Sequence, residues 1–345
     1  MRIRRLRLTA LLLLAVLPLA GCAARRSGGS GFAMGSVLSV ELYADETTAA
    51  GVRQEIFAAV SALDAAISAT REESELSALN RGEPDACSEE TVRLLRETLA
   101  LCEESGGALD VTLGAVTGLW GFATDAPRLP DPAALEAALQ TVGLQNVVFS
   151  ETGGVALRNG ARLDLGAVGK GAGADEALRV LQGAGRAAVI NFGGTVLLYG
   201  SPAGKQSWTV GIRDPFADET DYFALVSLRP ETKDDAFFLS TSGGYEKRFT
   251  ENGETYHHIL DPATGYPAQT GLAGVTVISG SGLLSDALST ACFVKGLCGE
   301  ALALLDAHGA EAVFVTEDRG VYVTRGLREQ VRITAEGFYE YDYEP

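Results

Sequence analysis

The second half of this chain is written mostly in strands, and that limits the folds open to it. Runs rich in β-branched and aromatic residues fall at 187–191, 195–199, 208–212, 223–228, 236–242, 246–250, 256–260 and 274–279. Two helical patterns interrupt the β-rich part, at 283–294 and 300–308, and a hairpin closes it around Asp318-Arg319-Gly320. The first half is the reverse. A strand at 32–43 carries Met34-Gly35 at its start, and helix periodicity follows at 48–68, through Val52, Ile56, Val60, Leu63 and Ile67. A short polar or helical turn at 74–80 precedes a second helix at 88–105, capped by Gly106-Gly107. Pro132 after Asp131 starts a third, to residue 142, and 155–157 and 162–165 flank Asn159-Gly160 as hairpin arms. A doubly wound sheet needs regular alternation of strand and helix, which is missing here. The expected class is α+β, with mixed antiparallel sheets and packed helices.

The first residues lie outside that pattern. Arg2, Arg4, Arg5 and Arg7 precede an apolar run at 8–19, too short to span a bilayer as a mature helix, so 1–21 reads as an export signal. It ends Leu19-Ala20-Gly21-Cys22, which resembles a bacterial lipobox; the resemblance implies cleavage before Cys22 and lipidation of that residue. Residues 23–31 hold Arg, Ser and Gly without apolar periodicity and read as a flexible tether, leaving a domain at 32–345. The expected location is extracytoplasmic, lipid-anchored to the bacterial cell membrane.

Losing those four Arg takes the formal charge from −17 to −21. So acidic a domain is a poor partner for nucleic acid, and an anionic nucleotide would need local basic groups or a divalent cation. Cys87, Cys102, Cys292 and Cys298 show no zinc-ligand spacing, and a Cys87–Cys102 bridge stays open beside the plain reading of Cys102 as core.

Three segments could carry chemistry. The first is His257-His258-Ile259-Leu260-Asp261-Pro262, at a strand end where consecutive side chains face opposite ways, so at most one histidine points into a cleft. The second is Asp286 with Ser289 and Thr290, neighbours on one helix face; an acid among Leu284 and Leu288 needs compensation if buried. Such an oxygen set suits Mg²⁺, which completes its shell with phosphate and water, although an exposed helix-start acid would look the same. The third is 164–171, where glycines after a strand and before a helix at 174–183 let backbone amides approach a phosphate, with Lys170 as a point charge. It is not a Walker A loop, because Gly171 stands where Ser or Thr would hold Mg²⁺.

Taken together, Met34-Gly35-Ser36, the 74–80 segment, Leu109-Asp110-Val111-Thr112, Leu119-Trp120-Gly121-Phe122, 164–175, Asn191-Phe192-Gly193-Gly194, 240–245, 258–267 and 285–290 resemble the FAD:protein FMN transferase family, ApbE. The likeness covers essentially the whole exported domain. It implies two lobes around a cleft in which FAD touches Met34, Ala108, Leu109, Asp110, Asp164, Lys170 and Leu260. It also implies Mg²⁺ on the Ala167 carbonyl, Asp286 and Thr290, with Ser289 as a further candidate, and His258 as general base. The implied reaction moves FMN from FAD to a Thr or Ser hydroxyl of an exported acceptor protein and releases AMP. Two alternatives stand beside it: a Mg²⁺-dependent FAD pyrophosphatase, and a flavin-binding lipoprotein without turnover. The sequence departs from the resemblance twice. Thr70 stands where an aromatic often covers the flavin, leaving Trp120 or Tyr245 as substitutes, and Thr195 stands where an acid often follows the Gly pair.

Overall fold

The computed structural model describes residues 26–83, 86–151, 153–202, 204–217 and 221–342; the export signal and Cys22 lie outside them. A hairpin of β1 (Arg26–Ala33) and β2 (Ser36–Tyr43) is followed by α1 (Glu46–Ile67), α2 (Glu75–Asn80), α3 (Glu89–Glu104), α4 (Gly114–Trp120) and α5 (Pro132–Leu139). Then come β3 (Val147–Phe149), β4 (Val155–Leu157) and α6 (Gly169–Ala184), before β5 (Ala188–Asn191), β6 (Thr195–Tyr199), β7 (Trp208–Arg213), β8 (Tyr222–Leu228) and β9 (Ala236–Gly243). The chain continues through β10 (Arg248–Glu251), β11 (Glu254–His257), β12 (Leu272–Ser279), α7 (Gly282–Lys295) and α8 (Gly299–Ala307). It ends with β13 (Glu311–Thr316), β14 (Gly320–Val323), β15 (Val331–Ile333) and β16 (Tyr339–Glu340).

Nine strands join in one sheet, ordered β1-β2-β5-β6-β9-β12-β13-β14-β16 and antiparallel except for the last pair. Both faces of its middle are covered, which period-two alternation makes possible. Leu197 and Tyr199 of β6 pack with Ile56 and Val60 of α1 and Leu181 of α6, while Val196 and Leu198 point to the small sheet β15-β8-β7 and its Phe223 and Val226. The architecture is α+β, as expected from the sequence.

Several boundaries differ from the sequence reading: the strand expected at 32–43 is broken by the Met34-Gly35 turn, the one at 256–260 ends at His257, and the helix expected to reach 142 ends at Leu139. Residues 26–31, expected in the tether, belong to the edge strand β1, which runs along β2. Two of its glycines lie under side chains of α1: a Cβ on Gly29 would stand 2.8 Å from Arg53 Cδ, and one on Gly31 3.3 Å from Phe57. The hairpin partner of β4 is β3, not 162–165; Asn159 and Gly160 make their left-handed turn, but Arg162 leaves it to bridge Leu113. The glycine-rich connection is already helical from Gly169, since α6 must start where it meets α7.

At that meeting Gly171 and Gly282 touch backbone to backbone, and a Cβ on Gly171 would lie 2.1 Å from the Gly282 carbonyl oxygen. In an open helix, Gly→Ala stabilises by about 1 kcal/mol. Here Gly171→Ala is expected to do the opposite and lower the melting temperature by several degrees, because overpacking costs ~1–3 kcal/mol. An unchanged or higher melting temperature would contradict this packing.

Candidate active site

A cavity of about 810 Å³ opens where the β1–β2 turn, the 108–118 segment, the 162–170 loop, the end of β9, the 258–262 turn and α7 converge. Met34, Ala108, Leu109, Asp110, Asp164, Ala167, Lys170, His258, Leu260, Asp286 and Thr290 all line it. The fold thus brings together residues up to 256 positions apart.

One wall is held by short polar bonds. Asn80 grips Leu163 from both sides, its Nδ2 donating to the carbonyl at 2.9 Å and its Oδ1 accepting from the amide at 2.7 Å. Asp164, next along, accepts from Gly166 N at 2.9 Å and from Thr117 Oγ1 at 2.7 Å, so its carboxylate closes the loop upon itself. Asp110 accepts from the amide and hydroxyl of Thr112 at 2.7 and 2.6 Å. Asn80 and Thr117 both line the cavity and were not singled out from the sequence, because isolated Asn and Thr carry no spacing signal.

A second wall is α7. Asp286 is 4% exposed; its Oδ2 accepts from Gly171 N at 2.8 Å and its Oδ1 from Thr195 Oγ1 at 3.3 Å. Burial pushes its pKa up, while the Lys170 charge and these donors pull the other way. Thr195, which had no role in the sequence reading, is therefore a donor to Asp286, and its oxygen also lies 3.1 Å from Ser240 Oγ. Thr290 Oγ1 is 3.2 Å from Ser242 Oγ. Ser289 does not belong with them: it is fully buried, donates to the Asp286 carbonyl at 2.9 Å, meets Ser242 Oγ at 2.9 Å and does not line the cavity. Among the described residues no three His, Cys, Asp or Glu side chains cluster as a metal site, so a cation here would rest on one carboxylate plus neutral oxygens.

The histidines diverge at the end of β11, whose last residue is His257. His257 Nδ1 accepts from Ile259 N at 3.3 Å and its Nε2 lies 3.1 Å from the Ala268 carbonyl, so both nitrogens serve the turn, and its ring stands edge-on to Phe293. His258 donates its backbone N–H to Lys247 O at 3.0 Å, and its ring faces the cavity beside Phe122, with a buried Nδ1 that has no hydrogen-bond partner. Burial, then the charges of Lys170 and Lys247, push its pKa down to about 3. At neutral pH the ring is uncharged.

Thr70 lines the cavity, but neither expected aromatic substitute does. Trp120 is fully buried, donating Nε1 to Gly265 O at 2.7 Å, and Tyr245 lies beneath the Arg213 guanidinium. The lining aromatic is Phe122, stacked on Trp120 at 5.7 Å. Cys87, Cys102, Cys292 and Cys298 are all free thiols, which removes the Cys87–Cys102 bridge.

A model of the ApbE family matches residues 34–314, a span that contains every one of these lining side chains. The chain belongs to the ApbE family. An FAD:protein FMN transferase of Treponema pallidum is 32% identical over 321 residues, covering 87% of each chain. One of Klebsiella pneumoniae is 30% identical over 301 residues, 86% of this chain and 90% of that one. The ApbE protein of Thermotoga maritima superposes with a TM-score of 0.80 at 30% identity, over 88% of this chain and 98% of its own. The flavinyl transferase ApbE of Pseudomonas stutzeri, in its apo form, gives 0.71 at 28%, over 87% and 94%. The ApbE fold therefore accounts for nearly the whole described chain.

Proposed function

We propose that this ApbE-family protein is an FAD:protein FMN transferase that attaches FMN to a Thr or Ser hydroxyl of an exported acceptor. The observation that carries the reading is the pairing, across one cavity, of an uncharged histidine with an unpartnered Nδ1 and a buried carboxylate whose present partners are all neutral donors. In the transfer the acceptor oxygen attacks the FMN phosphorus, a P–O bond of the pyrophosphate breaks, and AMP leaves. The His258 ring takes the hydroxyl proton, and Lys170 opposes the diphosphate charge. The glycines of the 164–171 loop leave room for the phosphates, and Phe122 offers an apolar surface to a ring.

The donor set fits a hard cation. Asp286 is desolvated without a charged hydrogen-bond partner, a costly state unless paired, and the Ala167 carbonyl and Thr290 hydroxyl border the same cavity. These three residues would hold Mg²⁺; Ser289 would not. Bound there, Mg²⁺ would neutralise phosphate charge. Cleavage before Cys22 and lipidation would place the domain outside the cytoplasmic membrane, where the acceptor also resides.

Incubating the soluble domain with FAD, Mg²⁺ and a candidate exported acceptor tests the reading. A fluorescent acceptor band on a denaturing gel, with AMP released in equal amount, is the expected result. AMP and free FMN without that band would mean hydrolysis instead, and retained FAD without AMP would mean binding only.

A further inference from the structure

The helix crossing beneath Asp286 has a pseudo-two-fold construction. The same spacing occurs on both helices: Gly171 and Asp175 on α6, Gly282 and Asp286 on α7. The glycines meet back to back, with a Cβ on Gly282 falling 2.2 Å from the Gly171 carbonyl oxygen. Each aspartate, one turn further on, reaches the other helix's glycine amide. Asp286 accepts from Gly171 N at 2.8 Å, and Asp175 accepts from Gly282 N at 2.7 Å. The halves then differ. Asp175 also accepts from Leu283 N at 2.8 Å and Ser281 Oγ at 3.2 Å and does not line the cavity, whereas Asp286 does.

We propose that Asp175 is a positioning residue for the cation site: it anchors the start of α7 so that Asp286 is held at the cavity wall. This rests on the reading of Asp286 as the Mg²⁺ carboxylate. Helix starts expose amides with no partner inside the helix, and at α7 the Gly282 and Leu283 amides are taken by this one carboxylate. Without it, α7 loses the hydrogen bonds that tie its first turn to α6, four residues before Asp286. Asparagine is a poor substitute, since it keeps one acceptor oxygen and presents an amide group to the remaining donors. Lys170 adjoins Gly171, so the crossing also sets the lysine against the carboxylate.

The test is Mg²⁺ titration calorimetry on the whole soluble domain at 20 °C, beside FAD binding by fluorescence. Supporting residues behind a metal ligand typically change affinity by ~10–100-fold. Asp175→Asn is expected to weaken Mg²⁺ binding by about tenfold or more on that scale, with FAD affinity in the absence of metal changing less than about threefold. Val226→Ala, in the sheet core on the opposite face, serves as a control: it lowers the melting temperature and leaves Mg²⁺ affinity alone. Wild-type Mg²⁺ affinity in Asp175→Asn overturns the proposal, as does an equal loss in Val226→Ala. Should Asp175→Asn fail to fold, Ser281→Ala, which removes one of the donors to Asp175 together with the cap on Leu284 N, takes its place with an expected weakening of Mg²⁺ binding; no loss there also overturns it. Unchanged Mg²⁺ binding in Asp286→Ala would instead remove the underlying cation reading.

Discussion

Replacing Asp286 by alanine is expected to abolish Mg²⁺-dependent turnover and the stabilisation that Mg²⁺ confers. The carboxylate is the one acid that α7 places at the cavity wall, it is 4% exposed, and its oxygens accept from neutral donors, the Gly171 amide and the Thr195 hydroxyl among them. A cation there gains its main charge partner from this group, because the Ala167 carbonyl and Thr290 hydroxyl are neutral. Losing several kcal/mol of charge stabilisation in phosphoryl transfer corresponds to a rate loss on the order of a thousandfold or more. A ligand at a hundred times its dissociation constant stabilises the native state by about 2.7 kcal/mol. Wild-type protein should therefore melt several degrees higher with saturating Mg²⁺, and Asp286→Ala should not. Scanning calorimetry with and without Mg²⁺ checks this independently of activity. A variant that keeps its Mg²⁺ shift and its rate would show that the cation sits elsewhere.

The parts of the fold legible in the sequence were those whose partners are encoded in the same stretch. The helix α1 buries Ile56 and Val60 on one face, and β6 alternates its apolar residues between two cores, so period alone locates both. The edge strand β1 was not legible, because Gly29 and Gly31 bury nothing of their own and lie under Arg53 and Phe57 of α1. The early start of α6 was hidden for a related reason: glycines that signal a turn in isolation are here required by the contact with Gly282.

The same distinction runs through the site. Asp286, Ser289 and Thr290 share a helix face by spacing, yet Ser289 turns to Ser242 and the Asp286 carbonyl while Thr290 borders the cavity. A rotation of one residue about the helix decides between core and cavity, and periodicity does not resolve that. Thr195 donates to a carboxylate 91 positions away, and Asn80 to a carbonyl 83 positions away, links that only the folded sheet and loops create. His257 and His258 were separable because a strand sends neighbours to opposite sides, although which one faced the cavity depended on Ala268 and Phe293 waiting on the other side.

His258→Ala is expected to leave FAD binding within a few-fold of wild type and to slow transfer by about 10²–10⁴-fold, the usual contribution of a positioned general base. The ring is one of many side chains lining the cavity, so its removal costs little binding surface, whereas in the proposed transfer it is the group that takes the hydroxyl proton. The loss should appear in kcat, with KM for FAD nearly constant; an unaffected rate would remove His258 as base. The same substitution has a readable effect on stability. Burial and the nearby lysines hold the imidazole pKa at about 3, well below its ordinary value near 6.5. Between those two values the unfolded chain binds a proton that the folded protein refuses, so stability falls as pH drops from about 6.5 toward 3. His258→Ala lacks this linkage and should lose less stability over that interval than wild type, as measured by urea denaturation at stepped pH. Equal slopes for the two proteins would mean that the imidazole is not desolvated, and with it would go the reason for treating His258 as an uncharged base at neutral pH.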